Sequence, residues 1–174
     1  MPASASPDVD DPAAELLQLL CAEFAGGGID SEVIPADSTV PAQLVVAIEG
    51  AVVNVCFLPG LENPPVMQYL AVLDCEVVPG TQPAVARLVC TVNSSLPVTG
   101  FEFSEAAEAV VFRHVQALSV HPLDPAVIAW PLSMIHYAVS HYAPIIASVA
   151  SGSVELDAAV TTFALAQQEL FDTD

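Results

Sequence analysis

The sequence predicts an α+β fold, in which an antiparallel sheet of about five strands carries its helices on one face. Apolar residues recur at helical spacing in some segments, and short runs rich in Val and Ile occupy others. These segments follow the order helix, three strands, helix, two strands, helix, helix. Short turn-rich connections between strands favour antiparallel hairpins. The 174 residues suit one domain, expected over 11–174 after a loose acidic tail at 1–10.

The first helix should begin at Asp11-Pro12, an acidic N-cap followed by proline at the first helical position. The glycines at 26–28 should end it. Its apolar stripe comprises Leu16, Leu17, Leu20, Cys21 and Phe24, with Leu19 outside the stripe.

Two hairpin-forming groups of strands flank a second helix. The first group is expected at Gln43–Ile48, Val52–Leu58 and Val66–Glu76, with an additional edge strand over Ile29–Ile34. Thr81 should cap a helix through Val92 that buries Val85, Leu88, Val89 and Val92 and exposes Arg87. The second group comprises Val98–Phe103 and Glu108–Leu118.

The chain should close with two helices. The first runs from Asp124-Pro125 towards Ala150, and we expect Pro131 and Pro144 to kink or divide it because proline removes a backbone donor. Gly152 stops it, and Ser153 should cap the second. The apolar stripe of that helix is Leu156, Ala159, Val160, Phe163, Ala166 and Leu170.

Charge excludes several kinds of partner. Asp and Glu total 21 residues against two arginines, Arg87 and Arg113, and the net charge is −19. Such a chain repels phosphate, so nucleic-acid binding and docking on anionic lipid are disfavoured. The uncharged stretch from Pro125 to Val154 is long enough to cross a bilayer, but its prolines, histidines and serines argue against a membrane span.

The cysteines and the N-terminal sequence predict a reduced, cytoplasmic protein. Cys21, Cys56, Cys75 and Cys90 form no C-x-x-C motif and lie in apolar runs, as buried free thiols do. The first residues show neither the basic nor the hydrophobic region of a signal peptide.

Residues that could carry catalysis form no recognised pattern. His136 and His141 are five positions apart, whereas a zinc pair on one helical face needs three or four. There is no nucleophile elbow, phosphate loop or dinucleotide turn. A thiolate at Cys90 would have only Arg87 for local positive charge, so an enzyme ranks last. We expect no catalytic residue, metal or cofactor.

The stretch from Leu88 to Gly152 resembles the YbjN family, whose fold is that of the type III secretion chaperones. The resemblance is carried by Asn93, the segment LPVTGFEF at 96–103, the returning strand Val110–Leu118, and YAPII at 142–146. The sequence departs from it at Pro131 and in the final helix from Ser153. The resemblance implies a non-enzymatic α+β protein, often a homodimer, that acts as a chaperone or regulator by holding another polypeptide.

Composition leads to the same expectation about function. With 13% charged and 54% hydrophobic residues, the surface must expose unusual apolar area, which commonly marks protein contact. Only one face of such a sheet is covered by its own helices, so the other meets solvent or a partner. We therefore expect binding of another protein or peptide, with basic partners favoured by the acidic surface. The candidate contacts are Leu16, Leu19, Leu20 and Phe24 of the first helix, unless the apolar stripe of that helix only covers the core.

The alternative is a small-molecule-binding regulatory module. Its pocket would lie between the sheet and the long helix, near Trp130, His136 and Tyr137.

Overall fold

A computed structural model gives the fold and describes residues 12–62, 64–96, 100–118 and 125–171. The expected tail at 1–10, the Asp11 and Asp124 caps and the LPVTGFEF positions 97–99 lie outside these ranges. The elements are α1 (Pro12–Gly26), β1 (Ser31–Ile34), β2 (Gln43–Ile48), β3 (Ala51–Glu62), β4 (Pro65–Leu73), α2 (Gln82–Asn93), β5 (Phe101–Ser104), β6 (Ala109–Ala117), α3 (Pro125–Ala150) and α4 (Leu156–Phe171).

The six strands form one sheet in the order β1-β2-β3-β4-β6-β5, and every neighbouring pair is antiparallel. The α+β prediction is confirmed. The edge strand predicted at Ile29–Ile34 is present as β1, which makes the described sheet six strands rather than about five. On the face of the sheet that packs against the core, Leu44, Val53 and Tyr69 are fully buried.

Helix α1 covers β1 and β2 and ends at the predicted glycines. Its own residues Leu17, Leu20 and Phe24 are buried in the core. The N–H of Ile29 donates to the Phe24 carbonyl over 2.8 Å. Gly28 provides the left-handed turn with a φ of 76°, as a helix C-terminus of this kind requires.

Helix α2 buries the predicted residues Val85, Leu88, Val89 and Val92, and Arg87 is exposed. Thr81 occupies the N-cap position, but its hydroxyl does not cap the helix, contrary to prediction. The hydroxyl donates instead towards the carbonyls of Val78 and Ala150, at 2.8 and 2.9 Å. Thr81 therefore links the start of α2 to the end of α3.

The resemblance motif has a structural role at the end of α2. The Asn93 side chain donates to the Phe101 carbonyl (2.7 Å) and accepts from the Phe101 N–H (2.8 Å). A Cβ on Gly100 would clash with the Asn93 Oδ1 atom, so any other residue here would displace the Asn93 amide. Asn93 thus satisfies the Phe101 N–H and carbonyl groups that face away from β6.

Helix α3 is continuous from Pro125 to Ala150 and passes through both Pro131 and Pro144, so it is not divided. The carbonyls that lose a donor belong to Val127 and Ser140, four residues earlier. Both residues are exposed, so water can supply the missing hydrogen bond.

The start of α4 differs from the prediction. The helix begins at Leu156, and the Glu155 carbonyl accepts from the Ala159 N–H over 3.0 Å, so Glu155 occupies the N-cap position expected for Ser153. The Ser153 hydroxyl lies 2.9 Å from that of Ser151. Ala159 and Phe163 are buried, as predicted.

We predict that Asn93→Ala destabilises the fold by about 2–3 kcal/mol, because two backbone groups of Phe101 lose their partners. Asn93→Asp keeps the acceptor but places a carboxylate oxygen against the Phe101 carbonyl, so it should destabilise the fold as well. Urea denaturation measures both free energies of unfolding. An Asn93→Ala protein as stable as the wild type would contradict this role.

Candidate functional site

One face of the sheet carries no helix within the described residues. The buried apolar side chains of the helices share one core with strand residues of the opposite face. Directly paired residues of antiparallel strands point to the same face, so the register identifies the uncovered side. We call it the open face. It comprises Glu32 and Ile34 of β1; Gln43, Val45 and Ala47 of β2; Val52, Asn54 and Cys56 of β3; Val66, Gln68, Leu70 and Val72 of β4; Val111, Arg113, Val115 and Ala117 of β6; and Glu102 of β5.

The open face is most apolar along one line across four strands. Ala47 pairs with Val52, Val52 with Val72, and Val72 with Val111. We call these four residues the apolar row. Val52 is 47% exposed, whereas Val111 is 8% exposed. Ala47 and Val52 are exposed and Val72 is half-buried, so these three residues present the aliphatic side chains of the row to solvent, as protein contact surfaces do.

Further along the strands, polar side chains interrupt the open face. Arg113 holds Glu102 across the β5–β6 pair, with its Nε atom 3.0 Å from Oε1. Its Nη1 atom donates to the Gln68 Oε1 atom over 2.5 Å. The Arg113 and Glu102 side chains are 37% and 49% exposed, so solvent screens the pair and its contribution to stability is small. The Arg113 side chain is thus engaged by Glu102 and Gln68 of the same face.

The apolar row lies next to a concentration of negative charge. The Ala51–Leu73 and Val72–Val111 pairs bring the β2–β3 turn, the end of β4 and the β5–β6 turn to one end of the sheet. The Ala47 N–H donates to the Asp30 carbonyl, which places the start of β1 there too. We call this end the acidic end, defined by the exposed residues Asp30, Glu49, Asp74, Glu105 and Glu108.

Two shallow depressions adjoin the acidic end. One opens beside the apolar row, between Ala47, Val52, Val72 and Asp74. The other lies on the helix side of the β2–β3 turn and is lined by Glu49, Asp74, Val139, Ser140, Ala143, Pro144 and Ala147. Both combine aliphatic walls with a carboxylate.

The predicted contacts on α1 mostly cover the domain itself. Leu20 and Phe24 are buried in the core, and Leu16 packs against it half-buried. Leu19 is 67% exposed. In this fold, only Leu19 of the four offers a partner an exposed apolar side chain.

The predicted pocket residues lie on the outer side of α3. Trp130 is 57% and Tyr137 50% exposed, and His136 is exposed as well. None of the three lines either depression. Tyr137 stacks on His141, with ring centroids 4.0 Å apart. Trp130, Tyr137 and His141 follow one another at helical spacing, and we call them the α3 stripe.

The four cysteine thiols and His114 are the other groups that could take part in acid–base or metal chemistry. All four cysteines are free, but Cys90 is exposed rather than buried, because α2 turns its neighbours Val89 and Val92 inward instead. Burial raises the pKa of the Cys56 thiol and lowers the pKa of His114, which disfavours their charged forms. Within the described ranges, no three His, Cys, Asp or Glu residues are placed to hold a metal ion.

The sequence contained a signal for the open face that periodicity alone does not reveal. Outward positions of β3 and β4, such as Val52, Leu70 and Val72, are aliphatic like the inward ones. A strand with one solvated face normally alternates apolar and polar residues. The missing alternation identifies these positions as apolar residues of the open face once the helices are known to lie on one side of the sheet.

No helix among the described residues combines the length and the apolar character needed to cross a membrane. No protein-family model, curated protein or solved structure matches the chain.

Proposed function

We propose that this protein is non-catalytic and binds another polypeptide through the open face, as a chaperone or regulator does. The observation that carries the proposal is the apolar row, Ala47, Val52, Val72 and Val111, which no described helix covers. Covering this row with a partner's apolar side chains removes aliphatic surface from water, at about 25 cal/mol per Å². The four free cysteines fit a reducing, cytoplasmic setting.

Side-chain contact with the open face is better supported than addition of a strand at a sheet edge. The edge strands β1 and β5 contain four residues each, so they offer few backbone groups. At β5 the Asn93 side chain already bonds both backbone groups of Phe101. A peptide adding here would have to displace it.

A small-molecule pocket has less support. The two depressions at the acidic end are shallow and open to solvent, and they lack the enclosure that buries most of a small ligand. The aromatic residues expected to line such a pocket, Trp130 and Tyr137, are exposed elsewhere.

We further propose that the protein forms a homodimer through the α3 stripe. Two copies that each carry a charge of −19 repel one another, so they can associate best where neither presents carboxylates. Helix α3 contains no Asp, Glu, Lys or Arg along its 26 residues. Trp130 and Tyr137 are of the residue types that most often anchor interfaces.

We predict that Val52→Asp weakens binding of an uncharged amphipathic Leu–Gln peptide at least about tenfold, because the contact would then bury a carboxylate. Fluorescence anisotropy measures the dissociation constant. Leu165→Asp is the control, since Leu165 is an exposed apolar residue of α4, away from the open face. Equal binding by the wild type and Val52→Asp would overturn the proposed function.

We predict that the Trp130→Ala/Tyr137→Ala variant is monomeric, whereas the wild type has twice the chain mass of 18.1 kDa. Light scattering after size exclusion measures the mass. Val52→Asp should remain dimeric, because the open face lies on the other side of the sheet from α3. A monomeric wild type would refute the α3 interface.

A further inference from the structure

We propose that the segment bound at the open face is basic and amphipathic, with apolar side chains on the apolar row and lysine or arginine side chains at the acidic end. The inference rests on the proposed function and adds the chemistry and orientation of the partner. It follows from three features: the uncompensated charge, the position of that charge beside the apolar row, and the depression between the two.

Among the described residues, no cation forms an ion pair with a carboxylate of the acidic end. Within the described part of the chain, the one ion pair joins Arg113 to Glu102. Arg87 lies on the exposed side of α2, in the helix layer. The sheet therefore has a negative field at this end, which a partner's cations can offset. The exposed carboxylates that create it are those of Asp30, Glu49, Asp74, Glu105 and Glu108.

The charge and the apolar surface are adjacent. Val72 of the apolar row is two residues before Asp74, and the Asp74 N–H donates to the Gly50 carbonyl over 3.1 Å. Asp74 therefore lies beside the β2–β3 turn that carries Glu49. Around Arg113, further along the strands of the open face, the described residues include no comparable group of unpaired carboxylates. A partner's basic side should consequently face the turns and its apolar side the strands.

The depression beside the apolar row has the chemistry of a site for a lysine or arginine side chain. Its walls include Ala47, Val52 and Val72, and Asp74 stands at its border. Lysine and arginine bury their aliphatic stems against apolar surface and keep the charged head at the edge. An acidic or neutral partner would leave Asp74 and Glu49 without a counter-charge.

A second copy of the chain is a poor occupant of the open face. A two-fold contact through identical faces would bring two acidic ends into one assembly without adding a cation. A basic segment instead gains attraction from the same charges, which speeds association and sets its orientation.

The test compares three labelled amphipathic peptides of about 14 residues, a length of about 21 Å as a helix. They share one leucine pattern and carry Lys, Gln or Glu at the polar positions. We expect the Leu–Lys peptide to bind most tightly and the Leu–Glu peptide least tightly. Raising NaCl from about 50 to about 500 mM should weaken Leu–Lys binding and leave Leu–Gln binding nearly unchanged.

The charge variant Glu49→Gln/Asp74→Asn should weaken Leu–Lys binding about 5- to 10-fold at low salt, because two exposed ion pairs are lost. Leu–Gln binding should change less than about twofold, since those pairs are absent from it. Glu15→Gln/Glu23→Gln removes the same formal charge from exposed positions of α1, on the covered side of the sheet, and should leave Leu–Lys binding unchanged.

The outcomes separate this inference from the proposed function. If Val52→Asp weakens all three peptides but the charge variant binds Leu–Lys like the wild type, the open face binds polypeptides and the inference is wrong. Association of the wild type through the open face, abolished by Val52→Asp in light scattering, would also overturn it. If Val52→Asp affects no peptide, the proposed function itself fails.

Discussion

Within the described residues, helices cover only one side of the single-layered sheet, and the arrangement of the molecule follows from this. Four described helices supply apolar side chains for one face of the sheet, and the other face keeps its own aliphatic residues. Val53 is fully buried while its neighbour Val52 is 47% exposed. We propose that the covered face provides stability and that the opposite face of the same strands provides recognition.

The covered side is held by specific contacts as well as by packing. Asn93 fixes the start of β5 through both backbone groups of Phe101, and Gly100 leaves room for it. Thr81 joins α2 to the end of α3 at the Ala150 carbonyl. Tyr69, buried in the centre of the sheet, donates its hydroxyl to the Ile128 carbonyl of α3 over 2.8 Å. These bonds join the helices to one another and to the covered side of the sheet.

Much of the fold could be predicted from sequence because it depends on local periodicity and turn chemistry. The bounds of β2, the buried stripe of α2 and the glycine end of α1 all follow from residues close in the chain. Side-chain bonding choices were less predictable: the Thr81 hydroxyl has several acceptors within reach, and tertiary contacts select Ala150. The continuity of α3 through Pro144 was likewise not predicted, and Ser140, whose carbonyl loses its donor, is exposed to solvent.

The candidate site was harder to predict than the fold. That one face would be uncovered follows from the order of elements, but which residues occupy it depends on register, which pairs Val52 with Val72 and Val72 with Val111. The α1 stripe was attractive because it is amphipathic, yet such a stripe serves a core as well as a partner, and Leu20 and Phe24 are buried. The acidic composition predicts a negatively charged surface. The position of five of its carboxylates at one end of the sheet depends on the strand topology.

Methyl NMR of valine-labelled protein, titrated with an amphipathic peptide, tests the central claim most directly. The strands place labelled methyl groups alternately on the two faces, so the protein contains its own internal control. We expect chemical-shift changes at Val52 and Val72, with Val53 and Val55 nearly unperturbed. Changes confined to the helices, with Val52 and Val72 unmoved at saturation, would contradict it.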